Sequence, residues 1–317
     1  MKWLFTGGSG FTGSYLVPEI SKRFPEDEIL IVDVNPPNFS ITNDSQFLRT
    51  DLLNQEEIMN IISQEQPNRI IHLIGVMRNE NPHFMTKINV VTCGNLLEAV
   101  VSNNVDLDGF LVIGSVAQYG IASPDSPPSE SNPCTPLSFY GHSKNLQEKL
   151  AMEYFHNFNV PIICVRPANI FGPRMSSSFV IPRILTQMIA RKKLSEKQKI
   201  KITISYLNAG RDFIDIRDVV DAYIQLFMSP KTHGEVFNLG TNNLTYLNSV
   251  IEIGKEILEI EDLEVIEENP RQEMDLHLTD SRKIQRLINW KPKRDLLTTI
   301  NDMIDNYGKE LNNKEMR

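Results

Sequence analysis

The sequence predicts an α/β protein, a doubly wound parallel sheet joined to a smaller second α/β unit. Three observations carry this prediction. Short apolar runs alternate with amphipathic stretches over the first 170 residues, a glycine-rich turn joins the first run to the first helix, and the rhythm breaks beyond Arg166. Strands that alternate with helices imply right-handed crossovers and a sheet covered on both faces. At 317 residues, 41% hydrophobic and 23% charged, the chain is long enough for one large domain or two interleaved ones.

Taken in order, Lys2–Thr6 reads as a strand, Gly13–Arg23 as a helix and Glu28–Val32 as a second strand. Phe47–Arg49 is a short third strand, Gln55–Glu65 a helix and Arg69–Ile74 a fourth strand. Val90–Ser102 is a helix with Leu96, Leu97 and Val100 at helical spacing. Gly109–Ile113 is a strand, Leu137–Phe158 a long helix and Pro161–Arg166 a strand. Pro167, Gly172, Pro173 and Ser176–Ser178 then mark a loop. Helices follow around Ile181–Arg191, over Val219–Met228 and over Leu247–Glu259, with a short strand at Val236–Leu239. Asp280–Leu287 starts a further helix, Trp290-Lys-Pro292 ends that unit, and Leu296–Tyr307 is a terminal amphipathic helix. The expected division gives residues 1–170 with 212–241 to the first domain and 171–211 with 242–317 to the second.

Charge and cysteine usage exclude several classes. The net charge of -8 needs no Lys/Arg-dense face to explain it, so no nucleic-acid partner is expected. The densest basic stretch, Arg191–Lys201, is interrupted by glutamate and glutamine and reads as a solvated helix end or loop. Cys93, Cys134 and Cys164 are odd in number and widely spaced, which gives no zinc or redox motif. Cys164 lies in the apolar run Val160–Val165 and reads as a small buried hydrophobe, which fits a reducing compartment. No apolar run approaches membrane length, and Met1–Phe5 is too short for a signal-peptide core. The expectation is a cytoplasmic protein with no membrane partner and no metal.

The turn Thr6-Gly-Gly-Ser-Gly-Phe-Thr-Gly13 gives Gly7-x-x-Gly10-x-x-Gly13 between a strand and a helix. Glycine permits positive φ and lets a pyrophosphate approach the backbone, while the helix start offers unpaired N–H groups. Spacing alone is a weak signal; the strand–turn–helix context strengthens it. Gly7, Gly10, Phe11, Thr12 and Gly13 are therefore candidate dinucleotide contacts, and the first domain is Rossmann-type. Asp33 ends the second strand, where a carboxylate accepts ribose hydrogen bonds and repels a 2′-phosphate; the alternative is a solvated loop aspartate. Asp33 favours NAD(H), while Asn35 and the Pro36–Asn38 loop leave room for NADP(H). Asp51 and Leu52 form a candidate adenine contact or an ordinary loop pair.

Tyr140 and Lys144, at i and i+4, share one helix face. With 8 tyrosines that spacing alone says little, but a strand ending in Gly114-Ser115 lies upstream, at the carboxyl edge where ligands bind. A tyrosine with its ordinary pKa of about 10 exchanges protons poorly near neutrality. A neighbouring ammonium and a positive nicotinamide favour the phenolate, and burial alone opposes it. Ser115 is placed to hold a substrate oxygen against Tyr140 while hydride moves at the adjacent carbon. His142 points another way round the helix and reads as a surface residue.

These stretches, together with His72-Leu-Ile-Gly75, Asn89–Asn95, Gly114–Gly120, Arg166–Pro173, Arg211–Asp218, Asn238-Leu-Gly240 and Asn289–Pro292, occur in one order along the chain. In that order the chain resembles the extended short-chain dehydrogenase/reductase family that modifies nucleotide sugars. The resemblance implies that Ser115, Tyr140 and Lys144 are catalytic, with Tyr140 and Lys144 also at the nicotinamide ribose. It implies that Asn169 and Arg211 contact a sugar-nucleotide diphosphate and that the smaller unit binds substrate. Read alone, Arg211 could instead pair with Asp212 or Asp215, and Asn169 could cap a turn before Gly172. The resemblance also implies a homodimer formed through the helices near Val90–Ser102 and Tyr140, whose apolar residues equally suit an intrachain core. Two departures, Thr92-Cys93 for Gly-Thr and Gly75 for alanine, keep small residues.

The resemblance also narrows the reaction. Related 4,6-dehydratases carry an acidic pair after the catalytic hydroxyl to eliminate water, where this chain has Val116 and Ala117. Fucose-type epimerase-reductases use a cysteine and a histidine where this chain has Ala117 and Arg174. Two reactions remain: reduction of a 4-keto-6-deoxyhexose nucleotide, and 4-epimerisation through a tightly held NAD+. The chain is most similar in appearance to GDP-4-keto-6-deoxy-D-mannose reductases, over Ile113–Gly120, Ser177–Pro182, Arg211–Asp218, Arg271, Asp280–Arg286 and Trp290–Pro292. This leans to the reductase, although Asp33 and Val116-Ala117 also suit an epimerase. A non-catalytic dinucleotide sensor is the third reading, and the complete Ser–Tyr–Lys set argues against it.

Overall fold

The computed structural model describes every residue except 42–44, 78–80, 124, 195–199, 205–206, 208, 269–274 and 316–317. The chain opens with β1 (Lys2–Thr6), α1 (Gly13–Arg23), β2 (Glu28–Asp33), β3 (Ser45–Arg49), α2 (Gln55–Glu65) and β4 (Arg69–His72). A helical stretch follows in three segments: α3 (Pro82–Thr86), a wide π turn (Lys87–Val91) and α4 (Thr92–Ser102). Next come β5 (Gly109–Ile113), α5 (Phe139–Phe158), β6 (Ile162–Pro167), β7 (Asn169–Phe171), α6 (Val180–Leu194) and β8 (Ile200–Ile204). Then follow β9 (Ala209–Arg211), β10 (Phe213–Asp215), α7 (Ile216–Phe227) and β11 (Glu235–Leu239). The chain ends with β12 (Thr245–Tyr246), α8 (Leu247–Ile257), β13 (Leu263–Glu267), β14 (Asp275–His277), α9 (Arg282–Ile288) and α10 (Leu296–Glu315).

Seven strands form one sheet in the order β11-β6-β5-β4-β1-β2-β3, with every pairing parallel. This is the doubly wound Rossmann-type arrangement, and strand alternation shows why it is covered twice. Trp3 and Phe5 point into one core with Leu16 and Ile20 of α1 and Val219 and Tyr223 of α7. Leu4, between them, points into the opposite core with Ile58 of α2, Leu96 and Val100 of α4 and Ala151 of α5. Burying one such side chain contributes about 1.5–3 kcal/mol. A third cluster joins Ile184 and Met188 of α6, Ile202 of β8, Val250 and Ile251 of α8, and Ile300 and Met303 of α10.

Several details differ from the sequence expectations. The helix expected from Val90 begins at Pro82, where Asn81 accepts hydrogen bonds from the N–H groups of His83 and Phe84 and Pro82 takes the first helical position. The stretch Pro82–Ser102 thus has 21 residues, and a window of 18 within it has a mean hydropathy of 1.2, so by length and composition alone it could cross a membrane. Cys93, Leu96, Leu97, Ala99 and Val100 direct that apolarity into the core. The fourth strand ends at His72, two residues short of the expectation, although the Leu73 N–H still bonds the Thr6 carbonyl at 2.8 Å. Pro18 lies inside α1 and removes the hydrogen bond to the Ser14 carbonyl; Arg174 donates to that carbonyl at 3.4 Å. The small strands β7–β10 and β12–β14 were not expected. Of the basic stretch Arg191–Lys201, residues 195–199 lie outside the described residues, and the flanks belong to α6 and β8. Cys93 and Cys164 are buried, and all three thiols are free.

Candidate active site

The carboxyl ends of the sheet strands carry most of the candidate residues. After β1 the chain turns sharply: Gly7 has φ +70, and its N–H reaches the Val32 carbonyl at 2.9 Å. A Cβ on Gly7 would stand 2.8 Å from Ile74, and one on Gly13 only 1.9 Å from the Gly8 carbonyl oxygen. Both positions therefore require glycine, and the turn packs directly against the start of α1. Thr12 caps α1 without a side-chain bond; the Ser14 N–H bonds the Gly10 carbonyl at 2.9 Å, and the Tyr15 and Leu16 N–H groups bond the Thr12 carbonyl at 3.2 and 3.0 Å. Asp33 sits across this turn, accepting from the Ser9 N–H and the Asn35 N–H, each at 3.1 Å. Gly10, Phe11 and Thr12 lie on the same turn. Asp51 accepts from the Leu53 N–H at 3.0 Å, and the Leu52 side chain is buried in the core while its carbonyl accepts from Asn95 Nδ2 at 2.9 Å. The glycine cradle and a carboxylate at the end of β2 suit the phosphates and ribose of a dinucleotide.

Ser115, Tyr140 and Lys144 converge. Ser115 follows β5 in an extended conformation and caps a short 3₁₀ turn, Val116–Gln118. The Ser115 side chain favours the Tyr140 phenolate, while burial opposes it and raises the Tyr140 pKa by more. The Lys144 ammonium donates to the Ile113 carbonyl at 2.8 Å and to Gln147 Oε1 at 2.9 Å. Burial lowers the Lys144 pKa to about 8. The help expected from Lys144 is therefore not what acts on Tyr140 in this structure: the effects on the phenol are burial and Ser115. His142 is exposed, as its position on the helix predicted.

Four neighbours have contacts to which the sequence reading assigns no role. Asn89, in the π turn, accepts from the Val76 N–H at 2.7 Å and donates to Ser143 Oγ at 2.8 Å, tying the loop after β4 to α5. Gln147 holds Lys144, and His72 bonds Thr6 Oγ1 at 2.7 Å. Burial first, then the Lys144 charge, lowers the His72 pKa to about 3, so the ring is neutral. Gly75 has a steric reason: a Cβ there would stand 2.9 Å from Lys144 Nζ. The signal for Asn89 was present, since the Asn89–Asn95 block had been singled out without a role for its first residue.

Asn169 and Arg211 lie on separate short strands, β7 and β9, at a second corner on either side of Asp212. Asn169 pairs with Phe213 through β7 and β10, and its side chain donates to the Asp212 carbonyl at 3.4 Å rather than capping the turn before Gly172. Arg211 stands between Thr245 and His277 in the small sheet β12-β9-β14. The carboxylate of Asp212 accepts from Thr241 and Asn242, and that of Asp215 from Arg217 and Thr299. Arg271 lies outside the described residues. Among the described residues no group of His, Cys, Asp and Glu is arranged to hold a metal.

The family model for the "NAD dependent epimerase/dehydratase family" matches residues 3–240. The chain is 27% identical over 281 residues to a dTDP-D-glucose 4,6-dehydratase of Dictyostelium discoideum, a match covering 82% of this chain and 62% of that protein. It is 26% identical over 314 residues to the GDP-6-deoxy-D-mannose reductase of Pseudomonas aeruginosa, covering 95% of each. Among solved structures it resembles the UDP-glucose 4-epimerase of Thermus thermophilus in complex with NAD, with a TM-score of 0.84 at 22% identity. That match covers 97% of this chain and 99% of the other.

Proposed function

The chain belongs to the NAD dependent epimerase/dehydratase family, and from that premise we propose that it reduces the C4 ketone of a nucleotide-activated 4-keto-6-deoxyhexose. The observation that carries this reading is the Ser115 side chain acting on the buried Tyr140 phenol, one helical turn before the anchored Lys144, with no titratable proton on Val116 or Ala117. The glycine turn would hold the dinucleotide pyrophosphate and Asp33 the adenosine ribose. Asp51 and the Leu52 backbone would meet the adenine, and Lys144 the nicotinamide ribose. When bound, the reduced nicotinamide supplies the hydride. Ser115 orients the ketone oxygen, Tyr140 gives it a proton as the alcohol forms, and solvent later restores the phenol. Val116 and Ala117 provide neither acid nor base for eliminating water, which separates this reading from the dehydratase-like relatives. Asn169 and Arg211 would grip the diphosphate of the substrate, for which a planar guanidinium is well shaped. The units 171–211 and 242–317 would form the substrate-binding domain. Exposed Phe84 and Val91, with Leu146 and Phe158 on α5, suit a homodimer.

A second reading, NAD-dependent 4-epimerisation, is favoured by Asp33, because its carboxylate over the glycine turn disfavours a 2′-phosphate. The test is to incubate the protein with 4-keto-6-deoxyhexose and ordinary hexose nucleotides while following added NADH and NADPH. Net oxidation of the cofactor with the keto sugar supports reduction. Interconversion of C4 epimers without net cofactor change supports epimerisation. Neither change with any substrate would remove the enzymatic reading.

A further inference from the structure

We propose that Gln118 is a positioning residue that sets the Ser115 hydroxyl against Tyr140. This rests on the hydride-transfer reading above. Ser115 belongs to the end of β5 and Tyr140 to α5, so something must hold the two elements in register. Gln118 is fully buried, and its amide does two things at once. Its Oε1 accepts from the Ser115 backbone N–H at 2.8 Å, and its Nε2 donates to Glu148 Oε2 at 2.9 Å. Glu148 lies one helical turn beyond Lys144 on the buried face of α5. The helix that carries the phenol and the ammonium thereby also holds the backbone of the serine.

Glu148 is itself fixed. Arg166 of β6 grips it with a two-pronged contact, Nε to Oε2 at 2.8 Å and Nη2 to Oε1 at 2.5 Å. Arg166 also donates to the Tyr119 hydroxyl, which donates to Asn238 Oδ1 at 2.9 Å. The frame is rigid because each of these buried groups is bonded to the next. Gly114 completes the fit: a Cβ at that position would stand 2.4 Å from Gln118 Oε1. The Gln118 amide supplies both a fixed acceptor for the Ser115 N–H and a fixed donor to the carboxylate. A hydrocarbon of the same size leaves the serine N–H and Glu148 unpaired, and the strand end is free to drift. A displacement of about 1 Å at a reacting group can lower the rate about 100-fold.

The experiment compares Gln118→Leu, Gln118→Glu and the swap Gln118→Glu/Glu148→Gln with Ser115→Ala and the wild type. One readout needs no sugar: the ionisation of Tyr140 in NAD-saturated protein, followed as phenolate absorbance against a Tyr140→Phe blank. The other is the split between kcat and the dinucleotide KM. Gln118→Leu should raise the Tyr140 pKa towards the Ser115→Ala value and lower kcat about 10- to 100-fold, with the dinucleotide KM unchanged. Gln118→Glu should do the same by setting two carboxylates together. The swap, which restores one amide and one carboxylate, should recover both readouts. Should Gln118→Leu or a folded swap-negative Gln118→Glu keep wild-type ionisation and kcat while Ser115→Ala loses them, the proposal is overturned and the hydride-transfer reading stands. If Ser115→Ala changes neither, the reading itself fails and the proposal with it.

Discussion

The glycine turn and the polar face of α5 are built from near neighbours in sequence. The Asn169–Arg211 corner is assembled from strands of two or three residues drawn from distant parts of the chain. In the first region a strand, a turn and a helix start fix one another locally, so residue type and spacing dictate geometry. In the second, β9 is held between β12 and β14, and Arg211 owes its place to residues 245 and 277. On the proposed function, chemistry would lie on the sheet edge and substrate grip on a corner built from distant strands.

That division can be broken experimentally. Tyr140→Phe should lower kcat about 1,000-fold while dinucleotide affinity is kept; a matching fall in dinucleotide affinity would mean that the phenol is only a binding group. Arg211→Ala should act on the other constant, raising KM for the sugar nucleotide about 10- to 100-fold with a smaller change in kcat. If steady-state kinetics show that Arg211→Ala lowers kcat alone, the two regions are not separate in function.

Stability probes the first region directly. His72 is buried and neutral, with its pKa lowered to about 3 from an ordinary 6.5. Between those values the unfolded chain binds the extra proton, so the folded state loses stability as pH falls through 6.5 towards 3. At about pH 5 the loss is about 2 kcal/mol. Urea unfolding at neutral and acid pH should show His72→Leu losing less stability on acidification than the wild type. An equal loss in both would contradict the assignment. The smallest expected effect is at Asp33, where replacement by Ala should relax the preference for NADH over NADPH by about tenfold, as read from the ratio of kcat/KM values.

The contrast between the regions also explains what could be read without coordinates. The helix α1 and the strand β5 have the bounds their apolar patterns predict, because local period and turn residues determine them. Ile200, Ile202 and Ile204 alternate with Lys201 and Thr203, a period-two signal for β8 that the neighbouring basic run obscured. The strands β9 and β14 are too short to carry any period. The Gln118–Glu148–Arg166 frame was illegible for another reason: its residues come from a short turn, a helix and a strand that only the fold brings together. Here burial sends Lys144 to Ile113 and Gln147, and Glu148 to Arg166. The carbonyl freed by Pro18 was equally invisible, since its partner Arg174 comes from far along the chain.

The central claim is that Ser115, Tyr140 and Lys144 direct hydride to a single ring carbon of a nucleotide sugar. It is tested most directly by reducing a 4-keto-6-deoxyhexose nucleotide with nicotinamide cofactor deuterated at the transferring position. The account predicts deuterium at C4 of the sugar, one atom for each cofactor oxidised, appearing about 1,000-fold more slowly with Tyr140→Phe. Deuterium elsewhere, unlabelled product, or labelling by Tyr140→Phe at the wild-type rate would contradict it.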